Sequence, residues 1–255
     1  MKDLTIIIPA HNEEENIEDM LERCKIWAPD AEVIVVCDRC TDWTRKIVDD
    51  VAEENQNVRA ISIQGTRGGF KYALLRGVIG LCTKYVAICM ADGCDDLSRL
   101  CTMYWTMENN HPDVVCGSRY MSRGQVIKPD SESKVWASFF VGFLSKVLVG
   151  VPTWDSTNAF RMWRNTTLRD AVYGSHRKGG FECNMEWLFR AHFKGARIVE
   201  IPTTWTGRAK GKSKFNFLGQ APAYVGVLLL GVYWRVITKL EQAWGKLGAR
   251  SKGGC

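Results

Sequence analysis

Short apolar runs alternate with amphipathic stretches through the first half of the chain. Leu4 to Ile8 is β-branched and unbroken and ends at Pro9. Ala31 to Val36, Val58 to Ile63, Tyr85 to Met90 and Val114 to Cys116 have the same character. Runs this short, without polar alternation, predict strands buried on both faces. Between them the apolar spacing turns helical. Ile17, Met20, Leu21 and Cys24 fall on one face, with Asn12 as a candidate cap and Glu13, Glu14 and Glu15 in a first turn. Further helices are predicted from Trp43 to about Glu54, Phe70 to Leu81 and Leu97 to Glu108. Strands alternating with helices imply an α/β fold with a mainly parallel sheet flanked by helices. Such sheets bind ligands beyond the carboxyl ends of their strands. Asn12-Glu13, Asp38, Gly68-Gly69 and Asp92 all fall at such ends.

The second half is more apolar and less regular. Ser133 to Gly150 reads as a helix carrying Val135, Trp136, Phe139, Phe140, Phe143, Leu144, Val147 and Leu148. It suits a core helix, or a helix lying in a membrane interface with Lys134 and Lys146 toward headgroups. Phe217 to Trp234 holds no charge but includes Gln220, Pro222 and three glycines, and is bounded by Arg235 and Lys239. That is the lower limit for a spanning helix; an interfacial or protein-packed amphipathic helix also fits. The tail beyond Glu241 is basic. A helix from Phe181-Glu182 to Arg190-Ala191 puts Glu182 and Glu186 on one face, where Glu186 can pair with Arg190. Lys194 to Glu200 predicts a turn and a short strand. The expected organisation is 1–120 as a Rossmann-like nucleotide-binding half, 121–216 as an acceptor-binding half of the same domain, and 217–255 as an apolar helix with a basic tail.

Composition narrows the class. The chain has 255 residues, 46% hydrophobic and 24% charged, which describes a globular protein rather than a disordered one. A net charge of +6 favours anionic partners without choosing among nucleotide, lipid phosphate and membrane surface. The ten cysteines include one C-x-x-C, Cys37 to Cys40, with no second pair at zinc-finger spacing. Reduced, mostly buried thiols in a cytoplasmic compartment are expected. Lys2 and the brief apolar run after it do not read as a secretory leader. His11, His111, His176 and His192 show no metal-ligand spacing.

The segment Ile88-Cys89-Met90-Ala91-Asp92-Gly93-Cys94-Asp95-Asp96 is the richest in chemistry. It ends an apolar run in three carboxylates within five residues. Like charges this close repel unless a positive partner sits among them. A hard divalent cation that also grips phosphate oxygens would serve. So would an ordinary acidic turn in which Asp95 or Asp96 caps the next helix. Gly68-Gly69 before a helix could cradle phosphate, or be a plain turn; no G-K-[ST] and no G-x-G-x-x-G accompanies it. Arg67 and Lys71 could contact a diphosphate or be solvated.

Several of these segments, in this order, resemble the family 2 glycosyltransferases of GT-A fold, and most of all the dolichol- and polyprenyl-phosphate sugar synthases. Pro9-Ala10-His11-Asn12-Glu13 resembles an opening P-x-x-N-E. Val35-Val36-Cys37-Asp38-Arg39-Cys40-Thr41-Asp42 resembles the V-V-D-D-G-S-x-D loop that receives base and ribose. Gly117-Ser118-Arg119-Tyr120, Asp155 to Arg161, and Arg208-x-x-Gly211-x-Ser213-Lys214 resemble G-S-R-Y, D-x-x-S-G-F-R and R-x-x-G-x-S-K. The likeness runs from about Leu4 to Phe215. It departs where Met90 stands at the first position of the family's D-x-D, where Cys37 replaces the loop's first Asp, where Trp43 follows Asp42, and where Lys71 replaces a Gly.

The resemblance implies a metal-dependent inverting glycosyltransferase moving a hexose from a GDP- or UDP-linked sugar to a polyprenyl phosphate. Pro9, His11, Glu13, Asp38 and Gly69 would hold the nucleoside. Asp92, with Asp95 or Asp96, would hold Mg²⁺ or Mn²⁺. Arg119, Arg208 and Lys214 would bind the donor diphosphate or acceptor phosphate, and Glu182, Lys134 and Ser213 would lie near the acceptor. The protein would sit peripherally on the cytosolic face of a membrane or span it once, and no nucleic-acid partner is expected. Two alternatives stay open here: the same donor chemistry with a glycan, protein or modified nucleic-acid base as acceptor, and a catalytically degenerate subunit that binds a nucleotide sugar.

Overall fold

The computed structural model describes residues 1–66, 68–129, 131–175, 179–211 and 217–252. Strand β1 (Leu4–Ala10) is buried at all seven positions, so its side chains serve both faces of the sheet. It lies between β2 (Glu32–Asp38) and β4 (Tyr85–Ile88) and runs parallel to both. The edge beyond β2 is β3 (Val58–Ile63). On the other side β7 (Arg161–Arg164) inserts antiparallel between β4 and β5 (Val114–Ser118), and β8 (Ile198–Pro202) closes the sheet parallel to β5. The order β3-β2-β1-β4-β7-β5-β8 makes a seven-stranded, mainly parallel sheet.

Alternate residues of β1 enter opposite layers. Leu4, Ile6 and Ile8 pack with Met20 and Leu21 of α1 (Ile17–Trp27) and Met103 and Met107 of α4 (Arg99–Asn110). Ile7 faces Leu74 of α3 (Phe70–Val78), with Leu168 of α6 (Asn165–Tyr173) and Trp187 of α7 (Cys183–Phe193) in the same layer. Each fully buried aliphatic side chain contributes about 1.5–3 kcal/mol. Helix α2 (Thr44–Glu54) packs on β3, within a residue of its sequence-predicted start.

Two expectations change. Asn12 does not cap α1. It lies at φ +50°, and its Oδ1 accepts the Thr41 amide at 2.8 Å, tying two strand-end loops together. The helix begins later, after Asn16 and Ile17 donate their amides to the Glu13 carbonyl. The Ser133–Gly150 segment is not a core helix: α5 (Glu132–Leu144) buries only Gly142 and continues as a π-helical turn, Ser145–Val149. Trp136 and Phe140 are 68% and 58% exposed. Helix α8 (Phe217–Lys252) extends well past Trp234, with Pro222 inside it. It packs on α7 and the π-turn, where Arg235 donates to the Val147 carbonyl at 2.5 Å. Its stretch Gly219–Trp244 is long and apolar enough to cross a membrane, and most of its residues are not buried.

Candidate active site

A cavity of about 610 Å³ opens at the carboxyl ends of β1, β2, β4 and β5. Pro9, His11, Glu13, Asp38 and Gly69 line one end and Asp92, Asp95, Arg119 and Arg208 its middle. Ser131, Lys134, Phe140 and Val141 of the α5 region and Ala221, Tyr224 and Val225 of α8 form the remaining wall. The site therefore passes from polar strand ends to an apolar wall whose outer face is exposed.

Asp38 ends β2 and is 5% exposed. Its Oδ2 accepts the Gly69 amide at 2.6 Å, its Oδ1 accepts Arg39 Nε at 3.1 Å, and its carbonyl meets His11 Nδ1 at 2.6 Å. A Cβ at Gly68 would lie 2.3 Å from Asp38 Oδ1, so only glycine lets the α3 loop approach so closely. Lys71 turns away from the cavity: its Nζ reaches Ser175 Oγ at 3.0 Å.

The acidic turn is built around Gly93, at φ +70°. Arg23 of α1 holds it from behind, donating to the carbonyls of Gly93 and Asp95 at 2.6 and 2.5 Å. Asp92 faces the cavity, and Arg208 Nη2 lies 3.2 Å from its Oδ2. The same guanidinium meets Glu13 Oε2 at 3.2 Å. Burial works against the Arg208 charge, but Asp92 and Glu13 outweigh it and raise its pKa. Asp95 is 3% exposed, and its Oδ2 accepts the Met90 amide at 3.1 Å. Burial, then the charge of Asp92, pushes its carboxyl up to about 7 against the pull of that amide, Arg119 and Arg23. Asp96 lies apart from the cavity lining. It accepts the Ser98 amide at 3.2 Å and pairs with Arg99 at 3.2 Å, serving the start of α4.

Arg208 reaches this turn through a small second sheet, in which β6 (Gln125–Ile127) pairs parallel with β9 (Thr204–Thr206). Strand β9 is bridged to the acidic turn at Asp95 and Trp205, and the Thr206 amide donates to the Cys94 carbonyl at 3.0 Å. Nothing local in the sequence announces this ribbon.

Arg119 is bound into the cavity floor. Its Nε and Nη2 meet Asp155 Oδ2 and Oδ1 at 2.7 and 2.8 Å, and Nη2 also reaches Ser138 and Thr157. Asp155 is fully buried. Burial favours its neutral form, but the charge and hydrogen bonds of Arg119 prevail and hold its carboxyl below the usual range. Glu182, 5% exposed, accepts the Gly180 amide at 3.0 Å; its neighbours Phe181 and Asn184 line the cavity while it does not. Glu186 pairs with Arg190 at 2.9 Å. Arg67, Ser213 and Lys214 lie outside the described residues.

Residues 5–171 match the model of Glycosyl transferase family 2. The chain belongs to this glycosyltransferase family. Undecaprenyl-phosphate mannosyltransferase of Micrococcus luteus is 29% identical over 245 residues, covering 92% of this chain and 96% of the relative. Polyprenol monophosphomannose synthase of Mycolicibacterium smegmatis is 28% identical, covering 94% and 89%. Among solved structures, glucosyl-3-phosphoglycerate synthase of Mycobacterium tuberculosis, crystallised with Mn²⁺, UDP and glucosyl-3-phosphoglycerate, superposes with TM-score 0.66 at 15% identity, covering 90% of this chain and 79% of its own. That likeness carries the GT-A fold.

Two residues of this glycosyltransferase carry structure that the motif reading left without a role. Asp155 joins its own motif to Gly117-Ser118-Arg119-Tyr120 through the buried ion pair; its place at the head of a quoted motif was the available signal. Tyr224 brings a half-buried phenol to the cavity from α8, and only the docking of that helix reveals it.

Proposed function

We propose that this glycosyltransferase moves a hexose, with inversion, from a GDP- or UDP-linked sugar to a polyprenyl phosphate at the cytosolic face of a membrane. One observation carries the reading: a single cavity joins the strand ends around Asp38 and Asp92 to an apolar wall made by α5 and α8. A sugar nucleotide fits the polar end. A lipid phosphate entering between two helices with exposed apolar faces meets it from the other. The names of the two bacterial relatives support the same acceptor class.

Pro9, His11, Glu13, Asp38 and Gly69 form the nucleoside end. A divalent cation, Mg²⁺ or Mn²⁺, suits the middle. Asp92 and Asp95 line the same cavity, and no group of three His, Cys, Asp or Glu among the described residues could hold an ion alone. A hard cation here would take one or two carboxylate oxygens and complete its shell from diphosphate and water. When bound, it neutralises charge on the departing nucleoside diphosphate. Arg208, poised between Glu13 and Asp92, is a charge-assisted donor for the same phosphates. Lys134, on the α5 wall, lies where an acceptor phosphate arrives, and Ser213 and Lys214 are assigned to that side through the family resemblance. Arg119 keeps the floor rigid through Asp155.

A phosphate monoester is anionic at neutral pH, so its oxygen attacks the anomeric carbon without a strong general base. The new carbon–oxygen bond forms as the bond to the diphosphate breaks, and direct displacement inverts the centre. The test is transfer of labelled sugar from GDP- and UDP-sugars to polyprenyl phosphate in liposomes with Mn²⁺ or Mg²⁺. The expected product is a lipid-linked sugar. Label passing to water-soluble acceptors and never to lipid would overturn the acceptor.

A further inference from the structure

The grip of Arg208 on its two carboxylates is uneven. Nη1 lies 3.3 and 3.2 Å from the two oxygens of Glu13. Nη2 lies 3.3 Å from Glu13 Oε1 and 3.2 Å from Asp92 Oδ2. Glu13 is therefore the anchor and Asp92 is met by one corner of the fork. The anchor is itself fixed. Glu13 is 7% exposed, its Oε2 accepts Asn16 Nδ2 at 3.0 Å, and its amide donates to Thr44 Oγ1 at 2.8 Å.

Asp92 is held differently. Its Oδ1 accepts the Cys94 amide at 3.2 Å, inside the acidic turn. Oδ2 is the oxygen that meets Arg208. The backbone leading to Arg208 is pinned: the Thr206 amide donates to the Cys94 carbonyl at 3.0 Å and the Gly207 amide to the Ile127 carbonyl at 2.8 Å. Rotation of the Arg208 side chain can thus free Asp92 Oδ2 without moving the ribbon, and Nη1 can keep Glu13 while it happens. The side chain is 12% exposed, so this exchange takes place inside the cavity rather than in bulk water.

A guanidinium and a divalent cation on the same carboxylate oxygen repel strongly at such short range. A diphosphate changes the balance. Its oxygens are charge-assisted acceptors that suit a planar fork, and they also complete a hard cation's shell. We propose that Arg208 is a built-in counter-ion that keeps Asp92 closed to a divalent cation until a diphosphate draws it away, so that cation and donor load together. The proposal rests on the reading of Asp92 as the cation's ligand. Without donor, the guanidinium neutralises the acidic turn and the cation alone binds weakly. With donor, Nη2 passes to a phosphate oxygen and Asp92 Oδ2 becomes available.

The test measures cation binding, with no turnover. Electron paramagnetic resonance of free Mn²⁺ reads the affinity of the full chain for Mn²⁺ alone and with inorganic pyrophosphate, GDP or UDP. Wild type should bind Mn²⁺ alone weakly and gain strongly from pyrophosphate. Arg208→Gln should bind Mn²⁺ alone about tenfold more tightly, ~1.4 kcal/mol, and gain less from pyrophosphate. Arg208→Lys keeps the charge but cannot span both carboxylates, so its Mn²⁺ affinity should move toward that of Arg208→Gln. Wild type that binds Mn²⁺ as tightly alone as with pyrophosphate overturns the proposal, whether or not the variants fold. So does an unchanged or weaker Mn²⁺ affinity in Arg208→Gln. A lysine variant identical to wild type beside a tighter glutamine variant would show repulsion by charge alone, and overturns the specific contact. Failure of every protein to bind Mn²⁺ under any condition overturns the functional reading, and the counter-ion with it.

Discussion

The Arg208 guanidinium stands 3.2 Å from the Asp92 carboxylate, across the gap between the small ribbon and the end of β4. With Glu13 on its other side, it supplies the positive partner that the acidic strand end requires. Arg208→Ala should leave two carboxylates uncompensated, costing about 1–3 kcal/mol of stability, and should also lower transfer. Arg208→Lys keeps a charge but not a fork that spans both partners, so it should recover stability better than turnover. Urea unfolding and turnover of both variants check this; wild-type turnover in either would remove Arg208 from the site.

Asp92 lines the cavity and meets Arg208 there. Asp92→Asn should keep the fold and lose on the order of a hundredfold or more in rate, as when charge stabilisation is withdrawn from a developing charge. Near-normal turnover in the folded variant would refute the assignment. Asp96→Asn should weaken the start of α4 and leave the Mn²⁺ needed for half activity unchanged, whereas Asp95→Asn should raise it.

Asp95 should give stability a distinctive pH dependence. Its carboxyl is raised from 3.8 to about 7 by burial and by Asp92. The native state therefore binds the proton more tightly than the unfolded chain. The stabilisation is fully present below the unfolded pKa and is lost as pH rises through about 7. Asp95→Asn, whose amide oxygen can still accept the Met90 amide, should flatten this decline in the metal-free protein. Melting temperatures of both proteins from pH 4 to 8 check it, and parallel curves would disprove it.

The Arg119–Asp155 pair is bidentate, with Asp155 fully buried and the Arg119 side chain 14% exposed. Asp155→Asn leaves the guanidinium without its carboxylate partner and should cost about 3 kcal/mol. A loss below about 1 kcal/mol in urea unfolding would mean that solvent reaches the pair.

Trp136 and Phe140 are exposed on α5 beside the apolar cavity wall. The double variant Trp136→Glu, Phe140→Glu should unfold at the wild-type temperature yet sediment less with anionic liposomes, because apolar insertion is lost and repulsion added. High salt should weaken the association of the wild type through charge screening. Equal sedimentation of variant and wild type would move the contact elsewhere, with α8 as the next segment to test.

The sheet's first four strands and the polar clusters at their ends could be read from the chain alone. A strand buried on both faces must be a continuous apolar run, and a parallel sheet gathers its ligands at one edge; both are local signals. The family motifs also placed Asp38, Asp92 and Arg208 in one site. Tertiary structure decided the rest. β7 inserts antiparallel between β4 and β5 although it reads Arg-Met-Trp-Arg, because the buried Arg161 finds the carbonyls of Ser156 and Asn184 at 2.6 Å. Asn12 chose the Thr41 amide over a helix end. Of three neighbouring carboxylates, one faces the cavity, one is buried against the Met90 amide and one serves α4, a division set by the Gly93 turn and Arg23. Whether α5 is core or surface depended on what packs against it, and composition cannot specify a partner. The Arg208–Asp92 contact needed a two-stranded ribbon between distant segments, whose pairing no local pattern encodes.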